Sequence, residues 1–358
     1  MTAAGAPSQD GARAGAAPAT QNNFNLLRLV FAAMVVAYHI TSLPGVAAWA
    51  PAEAAFGVLA ELGVQGFFVL SGYLVYASLE RSASLRLYAE KRVRRLYPAY
   101  ATVVIVCALA ALTFSEAARA DLAAVGAYLG WNLVFLNFMT PGLPGVFEAN
   151  RFAEVNGALW TLKIEVMFYL VLPALAALLK RAGRHSWLVL AVIYVGAEVW
   201  RIGLEAAGQA RDDELLLQLS RQLPGQMSFF ATGIALRMAP MDGRRLQMAG
   251  MAGAGLLVLS LLFPVAEPLR AVGLGSLAIF LALGAPRTVE AARFGDLSYG
   301  LYIVHFPIIQ TYTAAGLFAT PLMGLGASLV TALALALLLW HGVEKPALRA
   351  DSAYRKAA

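Results

Sequence analysis

The sequence predicts an all-α integral membrane protein, with about ten transmembrane helices around a central polar cavity and both termini cytoplasmic. Three observations predict it. Of 358 residues, 60% are hydrophobic and only 13% charged, against about 25% charged in a soluble domain. Mean hydropathy is +0.67. Apolar runs of span length recur along the whole chain, separated by basic clusters. This composition excludes a disordered chain, a collagen, a disulfide scaffold and an ordinary soluble enzyme. The one cysteine, Cys107, lies in an apolar run, so it forms no intrachain disulfide, and the four histidines lack metal-ligand spacing. No metal is expected. The net charge of +6 fits basic cytoplasmic loops in a membrane protein, not a nucleic-acid partner.

Residues 1–22 are rich in Ala, Gly and Pro, hold one basic residue, Arg13, and have no apolar core. They are expected to form a disordered tail and not a cleaved signal peptide. The apolar runs then fall at roughly 24–43, 56–79, 97–115, 121–139, 158–179, 187–206, 222–238, 245–263, 268–285, 295–316 and 322–343. Basic clusters lie at 81–95, at Lys180, Arg181 and Arg184, at Arg237, Arg244 and Arg245, at Arg287 and Arg293, and at Lys345, Arg349, Arg355 and Lys356. If all face the cytoplasm, each interval between them holds an even number of crossings. Only 95–180 holds three candidates. The segment 121–139 carries Trp131, Asn132 and Asn137 and precedes a Gly/Pro-containing loop, so it is expected to be interfacial or re-entrant. The membrane domain is expected over 23–345, with a cytoplasmic tail over 346–358.

Ionisable groups inside spans are costly and mark candidate sites. Arg28 and His39 share the first span. Eleven residues turn a helix by about 1100°, which returns to within about 20° of the same face, about 16 Å further along. Both can line one cavity at two depths; alternatively, Arg28 snorkels to the inner surface and His39 bonds a neighbouring helix. Glu165 lies at a depth expected to match that of His39, where a carboxylate orients an imidazole for general-base work. Lys163, two residues away, faces another side of the helix. The run 91–98 opens the third span with Arg92, Arg94 and Arg95. These cations suit a polyphosphate, or else serve as an ordinary positive-inside anchor. His305 stands near mid-membrane as a cavity residue or a helix–helix bonder. Glu61 and Gln65 lie one turn apart and can face the same cavity. Ser71 and Gly72 read as small residues that let helices approach closely.

These residues carry a resemblance. The runs 22–28 (containing Asn25 and Arg28) with His39, 63–74 (containing Gln65, Ser71 and Tyr73), 92–98, 159–169 (containing Trp160, Lys163 and Glu165) and 297–307 (containing Tyr299 and His305) occur in this order in the chain. Together they resemble the membrane-bound acyltransferase 3 family, which O-acylates bacterial surface polysaccharides. Asn25 and Gln65 stand where that family often has an acid. The resemblance implies transfer of an acyl group, most readily acetyl, from cytoplasmic acyl-CoA to a hydroxyl of an extracytoplasmic glycan or glycolipid at the bacterial inner membrane. It implies His39 and Glu165 as catalytic residues and Arg28, Arg92, Arg94 and Arg95 as acyl-CoA-binding residues. Asn25, Glu61, Gln65, Ser71, Tyr73, Trp160, Lys163, Tyr299 and His305 remain cavity candidates. Acyl-CoA is expected as substrate, with no permanently bound cofactor. A stand-alone membrane module is expected, with a separate periplasmic transferase as a partner that would complete the transfer. Ser71, Tyr73 or His39 could also carry the acyl group covalently. A proton-coupled small-molecule transporter is the competing class, since buried Arg, His and Glu suit that too.

Overall fold

In lipid the backbone has no water to bond, so apolar runs satisfy their N–H and C=O groups internally as helices. The computed structural model describes residues 22–286, 295–350 and 352, and among these it forms helices and turns with no strand. The tail expected over 1–22, apart from Asn22, lies outside the described residues, as do Arg287, Arg293 and 353–358. The helices are α1 Phe24–Ser42, α2 Ala50–Glu80, α3 Leu85–Phe114, α4 Glu116–Ala120, α5 Leu122–Leu133, α6 Trp160–Ala182, α7 Ser186–Arg211, α8 Glu214–Ser220, α9 Leu223–Met238, α10 Gly243–Leu262, α11 Arg270–Leu283, α12 Leu297–Ala314, α13 Pro321–Leu339 and α14 Lys345–Ala347.

Seven helical stretches among the described residues are long and apolar enough to span a bilayer. The longest, Gly157–Arg211, divides into α6 and α7 near Gly183, whose φ of 53° suits a residue without Cβ. With 12 residues, α5 rises about 18 Å and falls short of a hydrocarbon core about 30 Å thick. Large apolar side chains such as Leu170, Val199, Leu262 and Leu338 point outward, as lipid contact requires. The segment expected to be a tail from 346 begins packed. Leu348 is buried, and Arg349 reaches Glu90 on α3 at 3.2 Å.

Three apolar clusters hold the bundle. One joins α1, α3, α5, α12 and α13, another α2, α6, α7 and α9, and the smallest α1, α2, α10 and α11. A Cβ on Gly72 would lie 2.1 Å from the Phe230 carbonyl oxygen, and one on Gly233 2.1 Å from that of Val69. The backbones of α2 and α9 therefore touch at this pair, as small residues permit in membranes. Gly72 fulfils the expectation of close packing. Ser71 does not take part, because its hydroxyl turns the other way.

Two internal prolines are met by side chains from other segments. Pro has no N–H, so it orphans the carbonyl four residues before it. Pro173 in α6 leaves the Tyr169 carbonyl, and the Tyr88 hydroxyl donates to it at 3.1 Å. Pro307 in α12 leaves the Ile303 carbonyl, and the Asn156 amide donates to it at 2.8 Å. The first bond ties α3 to α6, and the second ties the loop before α6 to α12.

Candidate active site

A cavity of about 100 Å³ lies where α1, α2, α3, α6 and α12 meet. Its polar lining comes from Arg28, Ser71, Arg92, Arg95, Thr161, Glu165, Tyr169, Ser298, Tyr299 and Tyr302. Helical spacing explains the groupings. Thr161, Glu165 and Tyr169 stand four apart on one face of α6, and Tyr299 and Tyr302 stand three apart on α12.

Glu165 is the hub of one side. Its Oε1 accepts from the Ser71 hydroxyl at 2.8 Å and from the Tyr169 hydroxyl at 2.5 Å. Arg92 lies over the Tyr169 ring at 5.7 Å and donates to the Ser78 hydroxyl at 3.2 Å. Its Nε is buried and has no hydrogen-bonding partner among the described residues.

The other side is an ion-pair network. Arg95 donates to Asp296 at 2.7 Å and to Glu344 at 2.6 Å, and its guanidinium lies over the Tyr299 ring at 5.3 Å. Arg28 reaches Asp296 at 3.5 Å and is approached by the Asn25 side-chain oxygen, also at 3.5 Å. Both carboxylates are 1% exposed, so each charge needs its partner. Asp296 immediately precedes α12, and Glu344 comes from a π-helical turn, Trp340–Glu344, at the end of α13. Neither carboxylate was singled out from the sequence. Asp296 was visible only as an acid at the start of a span. The reach of Glu344 depends on a local change of helical period that composition does not signal.

His39 lies outside this cavity, further along α1. Its Nδ1 is 2.8 Å from Nε2 of His305, which is fully buried. The expected pairing of His39 with Glu165 is therefore corrected. His39 pairs with α12, while Glu165 turns to α2 and to its own helix. Phe67 and Tyr302 form the wall between the two sites. Both line the cavity, their rings meet edge-on at 5.8 Å, and Tyr302 contacts the His305 ring at 5.9 Å. The Tyr302 and Thr161 hydroxyls bond across α6 and α12 at 2.7 Å.

Other candidates fall elsewhere. Arg94 is half exposed, paired with Glu90 at 2.8 Å and donating to the Ala347 carbonyl. The helix explains this: Arg92 and Arg95 lie about 60° apart, while Arg94 points about 160° from Arg92. Arg95 lines the cavity but is bound by two carboxylates. Gln65 donates to Glu61 at 2.7 Å, and Glu61 binds Arg270 at 2.9 Å on an outer face of α2. Tyr73 packs on the Phe24 ring, one position round α2 from the cavity-facing face. Trp160 is half-buried and packs against the core of α2, α6, α7 and α9. Lys163 lies over the Phe138 ring at 4.6 Å, clear of Glu165 as its helical position requires. Asn25 and His305 act as partners of Arg28 and His39 and do not line the cavity. Of the expected residues, Arg28, Ser71, Arg92, Arg95, Glu165 and Tyr299 do. No group of three or more potential ligands that could hold a metal occurs among the described residues.

Residues 21–341 match the family described as an acyltransferase domain. The chain belongs to the acyltransferase 3 family. It is 27% identical to nodulation protein 10 of Rhizobium leguminosarum bv. viciae, over 92% of this chain and 94% of that protein. It is also 27% identical to an O-acetyl transferase of Shigella phage Sf6, over 92% of this chain and 97% of that protein. Against the peptidoglycan O-acetyltransferase OatA of Listeria monocytogenes the identity is 32%, over 51% of this chain and 29% of that protein. No solved structure matches the chain. The protein is a membrane O-acyltransferase. Family membership sets aside the transporter reading.

Proposed function

We propose that the protein moves an acyl group, most readily acetyl, from cytoplasmic acyl-CoA to a hydroxyl of an extracytoplasmic glycan or glycolipid, at the bacterial inner membrane. The observation that carries this reading is the division of α1 between two sites. Arg28 enters the cavity, and His39, about 16 Å along the helix axis, meets His305 beyond the wall of Phe67 and Tyr302.

In this reading the cavity takes the thioester end of the donor, and the nucleotide end stays at the basic surface. Arg92, with its unpartnered Nε, and Arg28 answer donor phosphate or carbonyl oxygens. Arg95 holds Asp296 and Glu344 and shapes the mouth. Glu165 fixes the Ser71 and Tyr169 hydroxyls beside the thioester. His39 Nε2 removes the proton of the acceptor hydroxyl. The hydroxyl oxygen then bonds to the thioester carbon, the carbon–sulfur bond breaks, and the leaving CoA thiolate takes the proton back from His39. The wall of Phe67 and Tyr302 opens for the two sites to meet. A separate periplasmic transferase remains a candidate partner downstream.

The test uses purified protein in lipid nanodiscs with acetyl-CoA and a polysaccharide acceptor. Acceptor-dependent CoA release, abolished in Arg28→Ala and His39→Ala, is expected. Release that ignores the acceptor, or survives both substitutions, contradicts the reading.

The Ser71–Glu165 bond favours a second reading, an acyl-serine intermediate, because the carboxylate is placed to accept the Ser71 proton as the hydroxyl attacks the thioester. Labelled acyl-CoA without acceptor would then mark the chain, and Ser71→Ala would remain unmarked. Tyr73, packed away from the cavity, is not a candidate carrier.

A further inference from the structure

We infer that His305 is a positioning residue which fixes the tautomer of His39 and so presents its Nε2 as the base. This rests on the reading of His39 as general base. His305 lines no part of the donor cavity, and the expectations from sequence left its role open between a cavity residue and a helix–helix bonder.

The hydrogens follow from elementary bonding. Nδ1 of His305 lies 3.1 Å from the Leu301 carbonyl oxygen, one turn back on α12. A carbonyl only accepts, so Nδ1 carries the hydrogen. A neutral imidazole then has its lone pair on Nε2. That atom faces His39 Nδ1 at 2.8 Å, so His39 Nδ1 must donate. Its own lone pair is left on Nε2, the nitrogen on the far side of its ring. A charged His305 would instead donate Nε2–H to His39 Nδ1 and bury a cation with no carboxylate partner among the described residues, and that burial is costly. Backbone carbonyls of α12 thus set, through one ring, which nitrogen of another ring is basic, and the Val35 backbone, one turn back on α1, also bonds the His39 ring.

The surroundings hold this geometry. The two rings lie 5.0 Å apart at 30°. The Phe306 ring meets His39 edge-on at 5.1 Å, and Tyr302 meets His305 at 5.9 Å. The Asn156 bond to the Ile303 carbonyl supports α12 two residues before His305, where Pro307 has removed a backbone bond.

The chemical consequence is specific. When Nε2 of His39 takes the hydroxyl proton, the ring becomes an imidazolium with two N–H groups. The Nδ1–H bond to His305 becomes charge-assisted and strengthens. His305 gains and loses no proton in the cycle. It does for His39 what a buried aspartate does in a hydrolase triad, through a neutral acceptor.

With four histidines in the chain, selective 15N-histidine labelling in lipid resolves ring nitrogens by NMR. The expected spectrum places the hydrogen on Nδ1 in both His39 and His305. It also gives a coupling across the pair that disappears in His305→Leu. Kinetics supply the second readout. His305→Gln, whose amide oxygen stands where Nε2 stood, keeps most of kcat. His305→Leu, also neutral and apolar enough for the buried site, loses about 10- to 100-fold in kcat, the scale of losing a partner that orients a functional histidine, with an unchanged KM for acyl-CoA. A His39 hydrogen on Nε2, or equal activity of the Leu and Gln variants, overturns the assignment. The tautomer readout needs no turnover, so wild-type protein that transfers no acyl group refutes the proposed function and leaves this pairing to be decided by the spectrum.

Discussion

The side chain of Asn156 supplies the hydrogen bond that Pro307 denies to the Ile303 carbonyl. A residue of the loop before α6 thereby completes the backbone of α12 beside His305. The same loop is fastened further along: the buried Gln310 side chain donates to the carbonyls of Phe152 and Glu154, and Arg151 reaches the Ser42 carbonyl at the end of α1. The helices that carry His39 and His305 are thus bound by one loop.

Asn156→Leu leaves the Ile303 carbonyl buried and unbonded. The expected cost is about 1–3 kcal/mol, read as a lowered Tm in detergent. Asn156→Gln, which keeps the amide, should lose less. Equal Tm values for Leu and wild type would show that the bond contributes nothing.

Asp296 compensates two guanidinium groups, of Arg28 and Arg95, at 1% exposure. Asp296→Ala is expected to destabilise by up to about 3–5 kcal/mol, because it removes the buried carboxylate that Arg28 and Arg95 share. Arg94→Ala removes a half-exposed surface pair and should change stability by less than about 1 kcal/mol. It should also leave acyl transfer intact. Chemical denaturation and activity measured side by side check both statements, and a severe loss in Arg94→Ala would contradict its placement outside the cavity.

Arg92 donates one bond to Ser78 and keeps a buried Nε unpartnered at the cavity. Arg92→Ala should raise KM for acyl-CoA about tenfold or more, the scale of one hydrogen bond to a charged group, with a smaller change in kcat. Steady-state kinetics over a range of salt concentrations check this, since added salt should weaken donor binding less in the variant. A pure kcat effect would remove Arg92 from donor binding.

Gly72 and Gly233 let the backbones of α2 and α9 meet. Backbone atoms on the other helix cannot turn aside as a side chain would, so Gly72→Ala forces the helices apart. The expected loss is about 1–3 kcal/mol, read as reduced folded yield and a lower Tm. Gly126→Ala, where a Cβ meets nothing within 4 Å, is the matched control and should be neutral.

The sequence made some of this legible and hid the rest for physical reasons. Hydropathy and the charge of the loops marked the helices, because lipid forces apolar runs to close their own backbone bonds. Arg28 in the cavity and Arg92 at its edge were readable from residue type and depth. Arg94 falls outside the cavity because a helix sends each of a run of adjacent cations to a different side. The His39–His305 pair was out of reach, because 266 positions separate the two and only the packing of α1 on α12 brings them together. Glu165 was expected beside His39 by matched depth along two helices. Depth does not fix rotation, and the helix turns the carboxylate toward Ser71. Tyr169 ends the run 159–169, and its spacing of four from Glu165 is a signal that places it on the same helix face.

The central claim is that the donor is bound on the cytoplasmic side and that His39 activates an acceptor on the other. Sealed inverted and right-side-out membrane vesicles, given acetyl-CoA labelled in the acetyl group, test it most directly. The account predicts label in envelope glycan only where the cytoplasmic face meets the CoA, with transfer lost in Arg28→Ala and His39→Ala. Full transfer by His39→Ala, or label entering glycan from acetyl-CoA supplied only to the outer face of sealed vesicles, would contradict it.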